Sequence, residues 1–199
     1  MESPATRKRQ ELRRELKKIR SGVSEQQSQE SGLKILKVLK SHPFFSEPRI
    51  TASFISANHE ICTQKINEFL LAAGHTLILP VVDPVKKGDM KFYSCCNLED
   101  MVKDRFGIPE PLALKENLIA DEVVEAILVP LVGFDSRGNR LGMGCGYYDR
   151  MLKRVSANCL LIGLAYDFQK VEELPFESWD MPLDEVITPK EHYIFSKKY

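Results

Sequence analysis

The sequence predicts an α/β fold in which a mainly parallel sheet is flanked by helices, as three layers in a single domain over residues 1–199. Short apolar runs rich in β-branched residues alternate with segments of helical periodicity, and the chain shows no internal repeat or linker. Such alternation favours parallel strands joined by helical crossovers. Because ligands bind at the carboxyl ends of strands in these sheets, functional residues are expected on the loops there.

Apolar spacing and capping residues predict the helices. An apolar stripe from Leu12 to Ile19 indicates the first of them. Ser24 is a typical N-cap for the second, and the His42-Pro43 pair ends it. The predicted helices cover 7–20, 24–41, 63–73 and 147–155.

Runs of β-branched, aromatic and small residues predict the strands, and turn residues such as Asp83-Pro84 close them. The stretch 100–117 is weakly patterned and is expected to form turns. The predicted strands cover 50–56, 76–82, 90–94, 123–132, 159–165 and 185–188.

Composition narrows the functional classes. Lys plus Arg and Asp plus Glu number 28 each, which argues against a general nucleic-acid or membrane-surface binder. No apolar run is long enough to span a membrane, and the charged start does not resemble a secretory peptide. The five cysteines form no Cys-x-x-Cys pair, so neither a disulfide framework nor a cysteine zinc site is expected. This cysteine usage predicts a protein of the reducing cytoplasm. The four histidines show no ligand spacing and are assigned no role.

The strongest functional signal is the run from Gly133 to Arg150, in which alternate glycines precede a predicted helix. Such glycines let the backbone approach an oxyanion, and the start of a helix favours phosphate. Arg140 can bind phosphate oxygens, and Asp149 offers a hard oxygen to magnesium. The run is not a Walker A loop, because no Gly-Lys-Ser/Thr follows, and its glycine spacing is one residue short of a dinucleotide fingerprint. On glycine count alone, a flexible turn remains an alternative.

This run resembles the signature of the 5-formyltetrahydrofolate cyclo-ligase family. The resemblance implies a fold like that of cyclo-ligases and sugar-phosphate isomerases. It also implies ATP-dependent closure of 5-formyltetrahydrofolate to 5,10-methenyltetrahydrofolate, with Mg²⁺ as cofactor and ATP as co-substrate. Further segments are similar in order along nearly the whole chain: Arg9 to Arg13, Ser53 to Ser56, Glu60 to Thr63, Leu79 to Val82, Trp179 to Asp184 and Ile187 to Pro189.

The resemblance also implies the site residues, without a catalytic side chain. Asp149 and Asp180 are expected to hold magnesium. The partners implied are ATP and 5-formyltetrahydrofolate, possibly polyglutamylated, with no nucleic acid and no membrane, and the protein is expected to be a monomer. The expected ATP-binding residues are Arg9, Gln10, Glu11, Leu12, Arg13, Arg140, Leu141, Gly142, Met143, Gly144, Cys145, Gly146, Tyr147 and Tyr148. The expected folate-binding residues are Arg13, Ile55, Glu60, Met143, Gly144, Cys145, Gly146 and Tyr147.

Three positions depart from the family's usual pattern. Arg9 stands where Lys is usual, Met143 replaces a frequent basic or aromatic residue, and Cys145 stands where Gly or Lys is common. A Cβ atom at 145 is compatible with the loop only if φ is negative there. Because Cys145 is expected beside the phosphates, its oxidation or alkylation is predicted to block ATP binding.

Other functions remain open at this point. A non-catalytic relative could bind nucleotide or folate as a sensor, although Arg140, Asp149 and the glycines are all present. Sugar-phosphate isomerases and acyl-CoA transferases also use α/β folds with glycine loops, and the fold alone does not separate them. ATP-independent turnover would favour an isomerase, whereas the two aspartates favour a metal–nucleotide enzyme.

Overall fold

The structure is a computed structural model that describes residues 3–83, 85–86, 88–104, 107–177 and 179–199. Its α-helices are α1 (Pro4–Arg20), α2 (Glu25–Ser41), α3 (Gln64–Ala72) and α4 (Tyr147–Met151). Its strands are β1 (Ile50–Ala52), β2 (Thr76–Val82), β3 (Met90–Ser94), β4 (Val102–Lys103), β5 (Pro109–Glu110), β6 (Leu118–Ile119), β7 (Ala126–Pro130), β8 (Gly133–Phe134), β9 (Arg140–Leu141), β10 (Leu160–Leu164), β11 (Glu185–Ile187) and β12 (His192–Ile194). Short 3₁₀ helices occupy Pro43–Ser46, Lys115–Asn117, Asp121–Val123 and Asp167–Gln169.

Eight of these strands form one sheet in the order β12-β11-β10-β7-β1-β2-β3-β6. The strands from β11 to β2 run parallel to one another. At the two edges, β12, β3 and β6 pair antiparallel with their neighbours. The sheet is therefore mainly parallel, as the sequence predicts. The pairs β4–β5 and β8–β9 form two small antiparallel ribbons outside it.

Both faces of the sheet are covered. Leu77 and Leu79 of β2 pack in one core cluster with residues of α2 and α3, such as Ile35 and Ile66. Ile78 points to the opposite face, where its core cluster includes residues from α4 and the C-terminal segment. Burial on both faces explains why the central strands read as continuous apolar runs rather than as alternating ones. The predicted three-layer arrangement is confirmed.

Local signals place most helix and strand boundaries correctly. Ser24 caps α2 and forms a reciprocal capping box with Gln27. The strands predicted over 76–82 and 90–94 have those bounds. The first strand was predicted too long: it ends at Ala52 because Thr63 and Asn67 take over the carbonyl of Phe54 with their side chains.

Two other regions differ from the prediction, and a third is only partly described. The last helix stops at Met151, because the chain tightens into a turn in which the Arg154 N–H bonds the Met151 carbonyl. The stretch 100–117 contains the β4–β5 ribbon besides turns, and its residues 105 and 106 lie outside the described residues. The predicted turn at Asp83-Pro84 is described only at Asp83, since Pro84 lies outside the described residues.

Among the described residues, no helix combines the length and the apolar character that crossing a lipid bilayer requires.

Candidate functional site

A cavity of about 700 Å³ opens at the carboxyl ends of β1, β2 and β7. Phe54 and Ile55 follow β1 directly, Val82 ends β2 and Pro130 ends β7, and all four line the cavity. After β1 the chain adds β2 on one side of it and later β7 on the other. The cavity thus lies where the strand order reverses, which is the usual ligand position in open α/β sheets. The predicted edge of the sheet carries the site.

The glycine loop forms one wall of this cavity. Within the predicted motif, β8 and β9 form a hairpin whose turn is fixed by the Asp135 carboxylate, which accepts hydrogen bonds from the Arg137 and Asn139 N–H groups at 2.9 and 3.1 Å. The loop from Gly142 to Gly146 then lines the cavity. Gly144 and Gly146 have φ values of 103° and 69°, a region that favours glycine.

Two sequence arguments about this loop have different outcomes. Cys145 is exposed and is not among the described non-glycine residues with positive φ, so its Cβ atom is compatible with the loop. Its carbonyl accepts a 2.6 Å hydrogen bond from Arg150. The expected contribution of a helix dipole is weaker than predicted, because α4 has only five residues. The prediction of an anion site therefore rests chiefly on the loop backbone and on the arginines.

Arg9, Arg13 and Arg140 converge on the cavity from two parts of the chain. Arg9 and Arg13 lie one helical turn apart on α1, and Arg140 lies on β9. The Nε of Arg13 donates to the Gly142 carbonyl at 2.8 Å, which ties α1 to the glycine loop. Burial lowers the pKa of Arg13 and of Arg140, and the neighbouring Arg9 lowers that of Arg13 further. Like charges held this close favour an anion among them.

Asp149 and Asp180 provide the opposite charge. Arg140 donates to Asp149 Oδ1 at 3.0 and 2.5 Å, and Arg9 makes a bidentate ion pair with Asp180, whose longer bond is 3.0 Å. The hydrogen bond to Asp180 raises the pKa of Arg9. Since each of these two arginines feels both carboxylates, the four groups form one charge cluster.

This donor set fits magnesium, which prefers carboxylate oxygens beside phosphate. The Asp149 side chain is 29% exposed and that of Asp180 only 5%. Asp180 Oδ2 also accepts the Glu177 N–H at 2.9 Å. Asp149 therefore offers the more accessible oxygen, and Asp180 becomes available only if Arg9 changes partner.

The expected folate residues divide into two groups. Ile55, Met143 and Tyr147 line the cavity. Glu60, by contrast, is not among the described residues that line the cavity. Its Oε2 accepts a hydrogen bond from the Ala57 N–H at 3.1 Å, and its Oε1 lies 3.5 Å from Arg20. Burial raises the pKa of the Glu60 carboxyl group, which the nearby Arg20 charge opposes. Glu60 thus lies one layer behind the cavity wall.

Arg20 is a site residue that the sequence analysis left without a role. It is buried, and it contacts Glu60, the Leu131 carbonyl at 3.4 Å and the Met143 sulfur at 3.7 Å. Met143 therefore contacts the arginine that pairs with Glu60. The sequence feature that could have identified Arg20 is its position on the same basic helix face as Arg9 and Arg13.

Other expected residues lie away from the cavity, and several unexpected ones line it. Gln10 lines it, whereas Glu11 is exposed and pairs with Arg7 at 3.5 Å. Leu12 and Leu141 pack in a small apolar cluster under α1 instead. Cavity-lining residues without an expected role are Asp104, Glu110, Arg150, Lys153, Glu177 and Trp179.

Comparisons with known proteins agree with this geometry. The sequence profile of the 5-formyltetrahydrofolate cyclo-ligase family matches residues 5–189. The chain is 33% identical to the 5-formyltetrahydrofolate cyclo-ligase of Haemophilus influenzae over 183 residues, which is 92% of this chain and 98% of the relative. It is 34% identical to that of Escherichia coli K12 over 175 residues, covering 87% and 96%.

Solved structures give the same result. The NMR structure of Aquifex aeolicus 5,10-methenyltetrahydrofolate synthetase matches with a TM-score of 0.82 and 33% identity, covering 95% of this chain and 93% of that one. The 5,10-methenyltetrahydrofolate synthetase of Mycoplasma pneumoniae matches with a TM-score of 0.71 and 25% identity, covering 91% and 98%. The chain therefore belongs to the 5-formyltetrahydrofolate cyclo-ligase family.

Proposed function

We propose that the protein uses ATP to close 5-formyltetrahydrofolate into 5,10-methenyltetrahydrofolate, releasing ADP and phosphate. The observation that carries this proposal is the convergence of Arg9, Arg13, Arg140 and the glycine loop on one cavity in a member of this family. The opposite wall, from Ile55 to Pro80 and Val82, is largely apolar and suits a pterin ring. A cavity of about 700 Å³ is large enough for small-molecule substrates.

The ATP phosphates bind between α1 and the glycine loop in this proposal. Guanidinium groups form forked hydrogen bonds with phosphate oxygens. Arg9 and Arg140 now donate to Asp180 and Asp149, so phosphate binding exchanges one anionic partner for another. Arg13 keeps its bond to Gly142 and holds the helix against the loop.

Asp149 and Asp180 would hold Mg²⁺, which when bound supplies charge neutralisation for the transferred phosphoryl group. In this structure the two aspartates pair with Arg9 and Arg140, and these are the pairs that phosphate and Mg²⁺ would replace. The same arrangement keeps both arginines near the position where the phosphates arrive.

The proposed reaction has two steps. The formyl oxygen of the folate attacks the γ-phosphorus of ATP, and the bond to ADP breaks. N10 of the same folate then attacks the activated formyl carbon, loses its proton, and phosphate leaves as the methenyl bridge forms. Because N10 is held within the same molecule, the second step needs orientation rather than a protein nucleophile. The chain's residues position the substrates and stabilise charge.

On the folate side, Ile55 and Tyr147 provide apolar surface, and Glu60 accepts hydrogen bonds from pterin N–H groups. Glu60 lies behind the cavity wall and pairs with Arg20, which Met143 contacts, so in this proposal Met143 moves aside as Glu60 reaches the pterin. The glycines that flank Met143 permit this change of the loop. Binding of the folate is thus coupled to the loop that also binds phosphate.

We also propose that the protein is a single-domain monomer in a reducing cytoplasm that accepts polyglutamylated folate. All five cysteines are free, and one chain supplies every side chain named for the cavity. Light scattering of the purified protein measures the mass directly. A dimer would contradict the monomer.

The test is near-UV absorbance of methenyl folate formed from 5-formyltetrahydrofolate, ATP and Mg²⁺. The wild-type protein is expected to form product only with ATP and Mg²⁺, and Asp149→Asn is expected to lose most of the activity. Glu68→Gln serves as the control, because Glu68 pairs with Lys65 on the surface of α3 and is expected to be unaffected. If wild type binds ATP but forms no product, the protein is a non-catalytic relative and the proposal is wrong.

A further inference from the structure

Three residues without a role in the proposed reaction meet at the β11–β12 edge of the sheet. His42 follows α2, Glu185 begins β11 and His192 begins β12. One ligand atom from each lies within 4.8 Å of the others, and among the described residues this is the group whose side chains could enclose a metal ion. None of the three lines the cavity.

The two imidazole rings point at the same carboxylate oxygen. His42 Nε2 lies 3.0 Å from Glu185 Oε2, and His192 Nε2 lies 2.6 Å from it. The side chains of Glu185 and His42 are 0% and 1% exposed, and that of His192 is 25% exposed. The cluster is therefore built into the protein interior, with one side close to solvent.

The Glu185 carboxylate is only partly satisfied. Its second oxygen, Oε1, is buried and makes no hydrogen bond of normal geometry in the described structure, and the Tyr199 hydroxyl also interacts with this carboxylate. Among the described residues its ion-pair partners are the two histidines, and no lysine or arginine contacts it. A buried carboxylate without a fixed cation is costly, and an orphaned oxygen adds to that cost. A divalent cation between the two rings and the carboxylate would supply the missing positive charge.

We propose that His42, Glu185 and His192 bind a divalent transition-metal ion, with Zn²⁺ as the ion of choice. Two imidazole nitrogens and one carboxylate oxygen are a ligand set for zinc, whereas magnesium and calcium prefer oxygen alone. In a tetrahedral zinc site the ligand atoms lie about 3.3 Å apart, so each histidine nitrogen needs to move away from Glu185 Oε2 by less than about 1 Å. Tyr199 closes the outer side, with its ring 4.9 Å from that of His42.

The ligand role requires one hydrogen bond to change. The Phe44 N–H now donates to His42 Nδ1 at 3.2 Å, which places the proton of a neutral ring on Nε2. Coordination through Nε2 moves that proton to Nδ1, and the bond from Phe44 is lost. The Phe44 amide thus reports directly on occupancy of the site, because its NMR resonance should shift when metal binds.

The metal would have a structural role. The three ligands join the end of α2 to the two strands at one edge of the sheet, and they lie away from the arginines of the cavity. Binding should raise the unfolding temperature, because the ligands come together only in the folded chain. The proposal does not depend on the proposed enzyme activity.

The test uses the full chain, stripped of metal by a chelator and titrated with Zn²⁺ and with Co²⁺. We expect one metal ion per chain, a visible Co²⁺ spectrum of low coordination number, a raised unfolding temperature and a shifted Phe44 amide, with no competition from millimolar Mg²⁺. His192→Asn should abolish all four effects, and its partial exposure makes it the ligand whose replacement is best tolerated. His59→Asn is the matched control, because His59 is exposed and its ring bonds the Val23 carbonyl, away from the cluster.

Asp149→Asn separates this site from the cavity, and it should bind zinc as wild type does. Two results would overturn the proposal. One is the absence of stoichiometric binding to wild type. The other is binding that persists in His192→Asn, which would place the metal elsewhere.

Discussion

The two ends of the parallel strands carry similar charged groups in different surroundings. At the carboxyl ends, Asp149 pairs with Arg140 at the wall of an open cavity. At the amino ends, Glu125 accepts bonds from the Arg49 side chain at 3.0 Å and from the Ile50 N–H at 2.8 Å. One end holds carboxylates beside a space that a ligand can enter, and the other ties them to the fold.

The comparison shows that ion pairs of the same chemical type can have different roles, depending on what surrounds them. An arginine beside a cavity can exchange its carboxylate for a phosphate, since both are anions of suitable geometry. A carboxylate that also bonds the first N–H of β1, as Glu125 does, cannot leave without exposing a buried donor. We therefore expect substitutions at the cavity to affect catalysis and those at the amino ends to affect stability.

The largest effect is expected at Arg140. Arg140→Lys keeps the charge but loses the fork that can bind two phosphate oxygens, so kcat/KM should fall about 100-fold. Arg137→Lys is the matched control from the same hairpin, because Arg137 is exposed and pairs only weakly with Glu173 at 3.4 Å. Steady-state kinetics with both substrates measure the effect. Activity of Arg140→Lys within threefold of wild type would remove Arg140 from the phosphate site.

A smaller effect is expected in the glycine loop. Gly144 has a φ of 103°, which an alanine adopts only at a cost of about 1–2 kcal/mol, so Gly144→Ala should raise the KM for ATP about tenfold as the loop relaxes. Gly142→Ala is the control, because a Cβ atom there meets no atom within 4 Å and its φ is not in the positive region. Equal KM values for the two variants would show that the loop conformation does not matter for ATP.

Acidification should weaken folate binding through Glu60. Burial raises the pKa of the Glu60 carboxyl group above its ordinary value of 4.5, so the group takes up a proton at a higher pH than an exposed glutamate. The protonated form accepts fewer hydrogen bonds from the pterin. The KM for folate should therefore rise as pH falls towards this raised pKa, with the KM for ATP unchanged. In Glu60→Gln the pH dependence should disappear, and its persistence would assign it to another group.

The smallest effect is expected at the amino ends. Glu125→Gln should lower the free energy of unfolding by about 1 kcal/mol, because its ion pair is half exposed and the bond to the Ile50 N–H is only weakened. Urea denaturation measures this change, and kcat and both KM values should stay as in wild type. A loss of activity without a loss of stability would contradict the division between the two ends.

Much of the fold could be predicted from local sequence signals. Periodicity and caps place α1, α2 and β2, and the glycine run with Arg140 points to a phosphate site. Pairing of short strands could not be predicted in this way. The β8–β9 ribbon lies inside the glycine motif, and each of its strands has only two residues, too few for a periodic signal.

The sequence by itself determined the fold class and the family and pointed to most residues of the proposed phosphate site, because these depend on patterns within short segments. Only the tertiary structure decided that Arg20 lies against Glu60, that Arg9 and Arg140 hold the two aspartates, and that His42, Glu185 and His192 meet. The last group spans 150 positions of the chain, and it forms because β11 lies beside β12 at the edge of the sheet where α2 ends. Strand order and helix packing bring such residues together, and the spacing of the residues along the sequence predicts neither of them.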